Sequence, residues 1–462
     1  MPDKTIPSDL LKSLRGLEGF DEDAFCKVHE EGETGTSVRI NPQKIGLLTK
    51  SDSSLGRWIR QMERVPWCEW GRWLNQRPSF ILDPFWHAGA YYVQEASSMF
   101  LSHVLNELFP SPIENLRVLD LCAAPGGKSS LMASHFPGQL IVSNEVIQSR
   151  ASILTENMTR WGSPNVVVTQ NDARDFKALG GFFDLIMVDA PCSGSGLFRK
   201  DPAAIKEWST ANVSLCSQRQ QRILSDILPA LNENGILVYS TCSYSQEEDE
   251  EIVDWMIRDQ NMENITIHVN PDWKIVESRT STGATGYRFY PDRIRGEGFF
   301  LSCLRKKGAA FSTVTRKKAA EKISKRKIEG LRKWISETDS YSFTERSGNL
   351  IAMPEHYEEA IGELGTALRI KKSGTLVGKF AGDELVPDHE LAMSLIIRND
   401  IPQLDLDLGH ALAYLRKEIL PINPSQKGWM LVAHDGLKLG WVKVLDRRIN
   451  NYYPSSWRIL KG

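Results

Sequence analysis

Two cysteines follow predicted strands and could act as nucleophiles. Cys192 lies just after the apolar run DLIMVD (184–189), and Cys242 lies directly after GILVYST (235–241). Cysteine is often a small core residue, but these two stand among Gly, Ser and Pro rather than inside apolar runs. Adjacent parallel strands would bring both to one crevice. A free thiol, with a pKa of about 8.5, is mostly protonated at neutral pH, so such a site must activate it.

A turn rich in small residues predicts a nucleoside-cofactor site in the same sheet. The run LRVLDL (116–121) leads into CAAPGGKS (122–129). Small residues let a ligand approach the backbone, and the N–H groups at a helix start favour an anionic group. Glu145 ends the next predicted strand, where a carboxylate can accept hydrogen bonds from a ribose. Asp172, after the third strand, could contact an adenine amino group or be an ordinary turn residue.

A nucleoside triphosphatase is a competing interpretation of this loop. Gly127, Lys128 and Ser129 resemble the end of a phosphate-binding loop, and the run ending at Asp189 resembles a magnesium-binding strand. The phosphate-binding pattern requires glycine at position 122, where this chain has Cys122. The sequence therefore disfavours the triphosphatase.

These motifs sit in a predicted doubly wound α/β domain. Short apolar runs alternate with helical patterns, which is typical of a parallel sheet with crossover helices. The predicted strands span residues 116–121, 139–144, 165–170, 184–189, 235–241 and 299–304. The clearest helical patterns span 149–161 and 214–231. Ligands bind at the carboxyl ends of such strands, which is where the motifs lie.

The composition predicts a modular, globular protein. A chain of 462 residues exceeds the size of a single hydrophobic core, and 41% hydrophobic and 25% charged residues are ordinary values for globular proteins. Without a signal pattern or an apolar run that could span a bilayer, we expect a cytoplasmic protein with no membrane partner. The seven cysteines include no C-x-x-C pair, which argues against a zinc site or a disulfide framework.

Charge is unevenly distributed along the chain. The net charge is only -2, yet residues 305–333 contain twelve Lys or Arg against two Glu. Such a stretch is either a solvated linker helix or a binding surface for a polyanion. An acidic run at 247–251 follows Cys242 and is interpreted as the first turn of a helix, where negative charge is favourable.

Methylation of carbon 5 of cytosine would use both a thiol and a carboxylate. Carbon 5 is a poor nucleophile, so a thiolate must first add to carbon 6. A carboxyl group such as Asp189 can stabilise charge at ring nitrogen 3. The proton on carbon 5 must then leave and the thiolate must be expelled, which is a second proton-handling task.

The motifs resemble those of the RNA 5-methylcytosine methyltransferases of the Sun family, most closely the bacterial RsmF type. The resemblance is carried by DLCAAPGGKS, SNE (143–145), NDAR (171–174), VDAPCSGSGLFRKDP (188–202), STCSYSQEEDEE (240–251), RINP, YYVQEASSM and RGEGFF (295–300). It continues to the C-terminus, where LGWVKVLDRRINNYYPSSWR is similar to the PUA-like end of RsmF proteins. It covers nearly the whole chain.

The resemblance implies roles that spacing leaves open. It implies that Cys242 is the nucleophile, that Cys192 assists product release, and that Asp189 lies beside the target base. It also implies S-adenosyl-L-methionine as cofactor and no metal. The implied cofactor-binding residues are Ala123, Ala124, Pro125, Gly126, Gly127, Lys128, Ser129, Glu145, Asp172 and Asp189.

The implied fold is α/β, with a Rossmann-like class I methyltransferase core and three further modules. We expect a helical N-terminal RNA-binding domain (1–110), the core (111–305), a basic linker with a small α+β domain (306–387) and a PUA-like β-rich RNA-binding module (388–462). The implied substrate is 16S rRNA of the small ribosomal subunit. The alternatives are transfer RNA as substrate, or a non-catalytic RNA-binding assembly factor, which intact cysteines, Asp189 and cofactor loop disfavour.

Overall fold

The region before the central sheet combines short helices with a small sheet. The computed structural model describes residues 5–32, 34–45, 54–308, 323–422 and 424–460. The helices of this region are α1 (Ser8–Leu14), α2 (Glu22–Glu31), α3 (Pro42–Ile45), α4 (Ser54–Gln61), α5 (Pro84–His87) and α6 (Leu101–Leu108). Its antiparallel strands, in the order β2-β1-β3, are β1 (Thr36–Ile40), β2 (Gly71–Leu74) and β3 (Tyr91–Val93).

The expected helical character of this region is found, but its sheet was not foreseen from the sequence. The three strands have only five, four and three residues. All four residues of β2 are buried, so β2 shows no alternation of polar and apolar residues.

The core is a ten-stranded sheet flanked by helices on both faces. Strands β4 to β8 are parallel, in the spatial order β8-β7-β4-β5-β6. The strands are β4 (Arg117–Asp120), β5 (Leu140–Asn144), β6 (Val166–Thr169), β7 (Phe183–Asp189), β8 (Leu231–Thr241), β9 (Met262–Ile265), β10 (Val276–Arg279), β11 (Thr285–Phe289) and β12 (Phe299–Lys306). The helices are α7 (Gly127–His135), α8 (Gln148–Trp161), α9 (Pro202–Glu207), α10 (Thr210–Ile227) and α11 (Glu250–Asp259).

All six strands expected from the sequence are confirmed. They are buried on both faces, so each gives a continuous apolar run rather than an alternating one. Helix α8 matches its predicted range to within one residue. The predicted helix at 214–231 begins earlier, at Thr210, because the Ser209 hydroxyl caps it by accepting a hydrogen bond from the backbone N–H of Asn212.

The segment after the core forms a four-stranded sheet of its own and also adds one strand to the core sheet. Its elements are α12 (Lys325–Leu331), β13 (Tyr341–Arg346), β14 (Asn349–Pro354), α13 (Glu358–Ala367), β15 (Ile370–Ser373), β16 (Thr375–Ala381) and β17 (Glu384–Pro387). Strand β15 leaves its neighbours and pairs antiparallel with β6 at the edge of the core sheet. Residues 309–322 of the basic stretch lie outside the described residues.

The C-terminal module packs on the N-terminal region rather than standing apart. It contains α14 (His389–Met393), β18 (Gln403–Asp405), α15 (Leu408–Leu415), β19 (Gly428–His434), β20 (Leu437–Val444) and β21 (Ile449–Asn451). One apolar cluster contains Ile40 and Tyr91 together with Leu415, Val442 and Tyr453. The small sheet of the N-terminal region and the C-terminal module therefore share a core. The exact domain limits stay a prediction.

Within the described parts of the chain, no helix is both long enough and apolar enough to cross a membrane.

Candidate active site

The two candidate cysteines meet beyond the carboxyl ends of β7 and β8. Asp189 and Ser240 are register partners at the ends of these parallel strands. Each strand runs on into a short loop, and the loops bring the Sγ atoms of Cys192 and Cys242 to 2.9 Å from each other. The structure thus joins two residues that are fifty positions apart in the sequence.

Close backbone contacts hold the two loops together. The N–H of Gly196 donates to the carbonyl of Cys242 (2.8 Å), and the N–H of Gly298 donates to the carbonyl of Gly196 (3.2 Å). A Cβ atom at Gly196 would lie 2.5 Å from the carbonyl oxygen of Gly298. Only glycine fits here without moving one loop away from the other.

The two thiols are not equivalent. The hydrogen bond with Cys242, together with burial, raises the pKa of Cys192 well above its ordinary value. Cys192 therefore stays protonated at neutral pH and can donate its proton to the Cys242 sulfur.

Asp189 is held from two sides at the end of β7. Its carboxylate accepts a hydrogen bond from the Ser240 hydroxyl (2.6 Å) and lies 2.9 Å from Nζ of Lys128. Lys128 also lies over the ring of Phe299, with Nζ 5.2 Å from its centroid. Each oxygen of Asp189 is thus held by one partner, and the contact with Lys128 connects the two cysteine loops to the predicted cofactor loop.

The predicted cofactor loop lines a cavity of about 180 Å³. The cavity is lined by Tyr92, Val93, Gln94, Glu95, Ser98, Asp120, Cys122, Ala123, Ala124, Pro125, Gly127, Lys128 and Asp189. Gly126 lies behind it, with φ of 117°, and a Cβ atom there would lie 2.8 Å from the side chain of Met158. The N–H of Ala123 donates to the carbonyl of Asn144 (2.8 Å), which ties the loop to the end of β5.

Asp120 is a further candidate site residue. It is the first residue of the DLCAAPGGKS motif, and the sequence alone predicts no role for it. It is fully buried, and Ser129 donates to its Oδ2 atom (2.6 Å). Among the described residues, none forms a hydrogen bond with its other oxygen, Oδ1. Burial raises the pKa of this carboxyl to about 7. An unpartnered acceptor in the cavity wall fits a ligand with an ammonium group, as in the amino-acid part of S-adenosylmethionine.

Glu145 and Asp172 lie at the neighbouring strand ends, outside the cavity wall. Glu145 is buried, accepts from the N–H of Ile147 (2.9 Å) and pairs with Arg150 (3.2 Å). Arg150 also donates to the carbonyl of Ala124 (2.8 Å), so it connects Glu145 to the cofactor loop. Asp172 caps the following turn and lies 3.5 Å from Arg222. Their contacts with ribose and adenine stay predictions.

The N-terminal region also supports the cofactor loop, which the sequence reasoning missed. Arg39, in the RINP motif, is almost fully buried and stacks on Trp161 at 4.6 Å. It donates to Gln94 (2.8 Å), to the carbonyl of Gly127 (3.2 Å) and to Ser130 (2.5 Å). The available signal was an arginine between two apolar residues, Val38 and Ile40, because an unpaired buried arginine is costly.

The acidic run after Cys242 has a second role besides the one predicted. Helix α11 does begin at Glu250, as the run suggested. However, Glu248, Asp249 and Glu250 are all buried. Glu250 pairs with the buried Arg288, and Asp249 accepts from Thr241 (2.6 Å). The run therefore supports the two cysteine loops from beneath, through buried carboxylates, as well as forming the first turn of the helix.

The sheet order, the loop after β4 and the acidic residues at the strand ends define a Rossmann-like methyltransferase fold. Solved structures share it. A methyltransferase homologue from Pyrococcus horikoshii is 28% identical, with a TM-score of 0.51 over 65% of this chain and 100% of that chain. NSun6 from Pyrococcus horikoshii, at 21% identity, shares the fold with a TM-score of 0.53 over 66% of this chain and 99% of that one.

Sequence comparisons define the family more closely. The model of the 16S rRNA methyltransferase RsmB/F matches residues 108–305, the N-terminal domain of RsmF matches 6–96, and the RsmF PUA domain matches 402–459. The ribosomal RNA small subunit methyltransferase F of Psychromonas ingrahamii is 30% identical over 438 residues, 90% of each chain. That of Shewanella loihica is 29% identical over 440 residues, 90% of this chain and 88% of its own. The chain belongs to the RsmB/F family of 16S rRNA methyltransferases, with the domain set of the RsmF type.

Proposed function

We propose that this protein methylates carbon 5 of a cytosine in 16S rRNA through a covalent bond between Cys242 and the base. The observation that carries the proposal is the pair of thiols 2.9 Å apart beside Asp189. Family membership supports rRNA of the small subunit as the substrate. We expect the protein to act in the cytoplasm, on 16S rRNA of the small ribosomal subunit.

The cavity lined by the loop after β4 suits S-adenosylmethionine, which supplies the methyl group. Asp120 offers a free oxygen to its ammonium group, and the backbone N–H groups at the start of α7 suit its carboxylate. Glu145 and Asp172 follow β5 and β6, where the ribose and the adenine would lie. We infer that the reaction needs no metal ion, because these groups each have a partner in S-adenosylmethionine.

The proposed reaction divides the chemistry between two thiols. The Cys242 thiolate adds to carbon 6 of the base, while Asp189 stabilises the proton at ring nitrogen 3. The carbon 5 atom thereby gains electron density and takes the methyl group, which leaves the donor sulfonium as a neutral thioether. Elimination then moves the carbon 5 proton to Cys192 as Cys192 gives its own proton to the departing Cys242 sulfur, so that the ring double bond is restored and the bond between carbon 6 and sulfur breaks. The raised pKa of Cys192 keeps its thiol protonated until that transfer.

Replacing each cysteine in turn tests this division. Cys192→Ala should accumulate a covalent adduct between protein and RNA, because the proton donor for release is lost. Cys242→Ala should form no adduct and no 5-methylcytosine. A denaturing gel of the protein with labelled RNA and S-adenosylmethionine measures both. Adduct formation by Cys242→Ala, with none by Cys192→Ala, would reverse the assignment.

The target cytosine must leave its stack before carbon 6 is accessible, at an estimated cost of a few kcal/mol. RNA contacts elsewhere must provide that free energy. The C-terminal module offers a hollow of about 620 Å³ whose lining includes the basic residues Lys427, Lys443, Arg447 and Arg448. We infer that this hollow binds RNA phosphates, together with the N-terminal region and the basic stretch at 305–333.

A further inference from the structure

Glu248 connects the two catalytic loops through a single buried carboxylate. Its side chain is completely shielded from solvent. One oxygen accepts from the backbone N–H of Ser193 (2.8 Å) and from the amide of Gln220 (3.2 Å). The other accepts from the hydroxyls of Ser193 (2.5 Å) and Ser243 (2.6 Å). Ser193 directly follows Cys192, and Ser243 directly follows Cys242.

These contacts are unevenly shared between the loops. The Cys192 loop donates two hydrogen bonds to Glu248, from the backbone N–H and the hydroxyl of Ser193. Gln220 adds an indirect connection, because it donates both to Glu248 and to the carbonyl of Pro191 (3.1 Å). The Cys242 loop donates one hydrogen bond to Glu248, from the hydroxyl of Ser243. The Cys242 loop has a further support of its own, since the Thr241 hydroxyl donates to Asp249 (2.6 Å) and accepts from the backbone N–H of Ser243 (3.1 Å). The Cys192 loop therefore depends more on Glu248.

Glu248 itself is held in place from its backbone. The Tyr239 hydroxyl donates to the Glu248 carbonyl (2.6 Å) and lies 3.1 Å from the Gln220 side chain. Four hydrogen-bond donors surround a carboxylate that has no contact with solvent. Burying a carboxylate costs free energy, and capping a helix does not require it. Burial raises the pKa of Glu248, while the hydrogen bonds from Ser193 and Ser243 oppose that shift.

We propose that Glu248 is a positioning residue for product release: it holds the Cys192 loop so that the Cys192 thiol stays in contact with the Cys242 sulfur. This inference rests on the roles proposed above for the two cysteines. Without the carboxylate, the loop at 191–193 loses both hydrogen bonds that Ser193 donates to it, while the Cys242 loop keeps the support of Thr241. Attack on the base should therefore suffer less than proton transfer to the departing sulfur.

The test compares Glu248→Gln with a matched control, Asp254→Asn. Asp254 is also buried and accepts from the backbone N–H groups and the hydroxyls of Ser281 and Thr282, which lie away from both loops. Both substitutions remove a carboxylate with four donors. Glu248→Gln should slow turnover about 10- to 100-fold and accumulate the covalent adduct although Cys192 is present. Asp254→Asn should accumulate none, even if its melting temperature falls equally.

A second readout needs neither RNA nor catalysis. Dibromobimane becomes fluorescent when it bridges two neighbouring thiols, and it should bridge Cys192 and Cys242 in the unaltered protein and in Asp254→Asn. Bridging should be several-fold slower in Glu248→Gln. Ser243→Ala, which removes the bond from the Cys242 loop to Glu248 and the bond that the Ser243 hydroxyl accepts from Ser245, provides a milder variant if Glu248→Gln fails to fold. It should slow bridging without raising the adduct level.

The outcomes separate this inference from the proposed function. Unchanged bridging and wild-type turnover in Glu248→Gln would overturn the positioning role. Slow turnover without adduct in Glu248→Gln would also overturn it, because attack rather than release would then be impaired. If Cys192→Ala forms no adduct and the unaltered protein makes no 5-methylcytosine, the proposed function has failed instead, and the role in release fails with it.

Discussion

At the scale of single residues, the site contains one carboxyl group, that of Asp120, whose burial decides its charge. Asp120 and Asp189 lie at the ends of neighbouring strands, yet only Asp189 has a cationic partner, Lys128. Asp120 has a single hydroxyl donor, and its burial raises its pKa to about 7. The free protein therefore holds a proton on Asp120 over part of the acidic range, when an exposed aspartate would be ionised.

This proton makes folding stability depend on pH in a defined direction. Between the ordinary pKa of about 4 and the folded value of about 7, the folded state binds the proton more tightly than the unfolded chain does. The free energy of unfolding should therefore fall as the pH rises through this window. The side chain at position 120 cannot ionise in Asp120→Asn. Over the same pH range, the free energy of unfolding of this variant should therefore fall less than that of the unaltered protein, by a few kcal/mol.

Urea unfolding of the cofactor-free protein and of Asp120→Asn at pH 5 and pH 8 measures the effect. Other titrating groups contribute equally to both proteins, so the difference between the two isolates Asp120. Parallel pH profiles for the two proteins would show that Asp120 keeps an ordinary pKa.

At the scale of elements, two loops must touch without side chains between them. Gly196 lies against Gly298 and the carbonyl of Cys242. Gly196→Ala should push the loops apart, lower the stability by about 1–3 kcal/mol and reduce methylation strongly. Gly362→Ala, in helix α13 with open space around it, is the control and should raise the stability by about 0.5–1 kcal/mol.

Thermal unfolding and methylation rates for both variants check this. If Gly196→Ala were as active as Gly362→Ala, close contact between the loops would not be required for catalysis.

The elements differ in how far the sequence determines them. The six expected strands were predictable because burial on both faces gives uninterrupted apolar runs. The edge strand β15 was not, because IKKS has no strand pattern and pairs with β6 only once the chain has returned from α13. Likewise, an acidic run beside a helix start indicates a charged first turn. Only the folded chain shows that Glu248 faces Ser193, 55 residues away.

At the scale of the whole molecule, the small sheet of the N-terminal region and the C-terminal module meet in one apolar core. Tyr453 packs in that core, and its hydroxyl lies 3.0 Å from Nδ1 of His87. Backbone contacts also join the C-terminal module to the core domain, where the N–H of Leu395 donates to the carbonyl of Gly162 (3.0 Å). Removing the module would therefore expose apolar surface elsewhere, so its RNA binding is better tested by surface substitutions.

Arg447→Ala and Arg448→Ala should weaken RNA binding without affecting the fold. Log affinity falls with log salt concentration, and each lost phosphate contact should make this fall less steep by about 0.7–0.9. Arg258→Ala is the control, because Arg258 lies beside a hollow lined by Glu250, Glu251, Asp254 and Asp259, which should repel RNA. Filter binding at several salt concentrations measures the slopes. Equal slopes for all three variants and the unaltered protein would exclude this surface.

The measurement that tests the central claim most directly is nucleoside mass spectrometry. Unmodified small ribosomal subunits, their naked 16S rRNA and transfer RNA are each incubated with the protein and S-adenosylmethionine, with Cys242→Ala as the control. We predict new 5-methylcytosine in ribosomal RNA alone, and none with Cys242→Ala. 5-Methylcytosine in transfer RNA alone would contradict the substrate. Its formation by Cys242→Ala, or the absence of methylation in every RNA, would contradict the proposed chemistry.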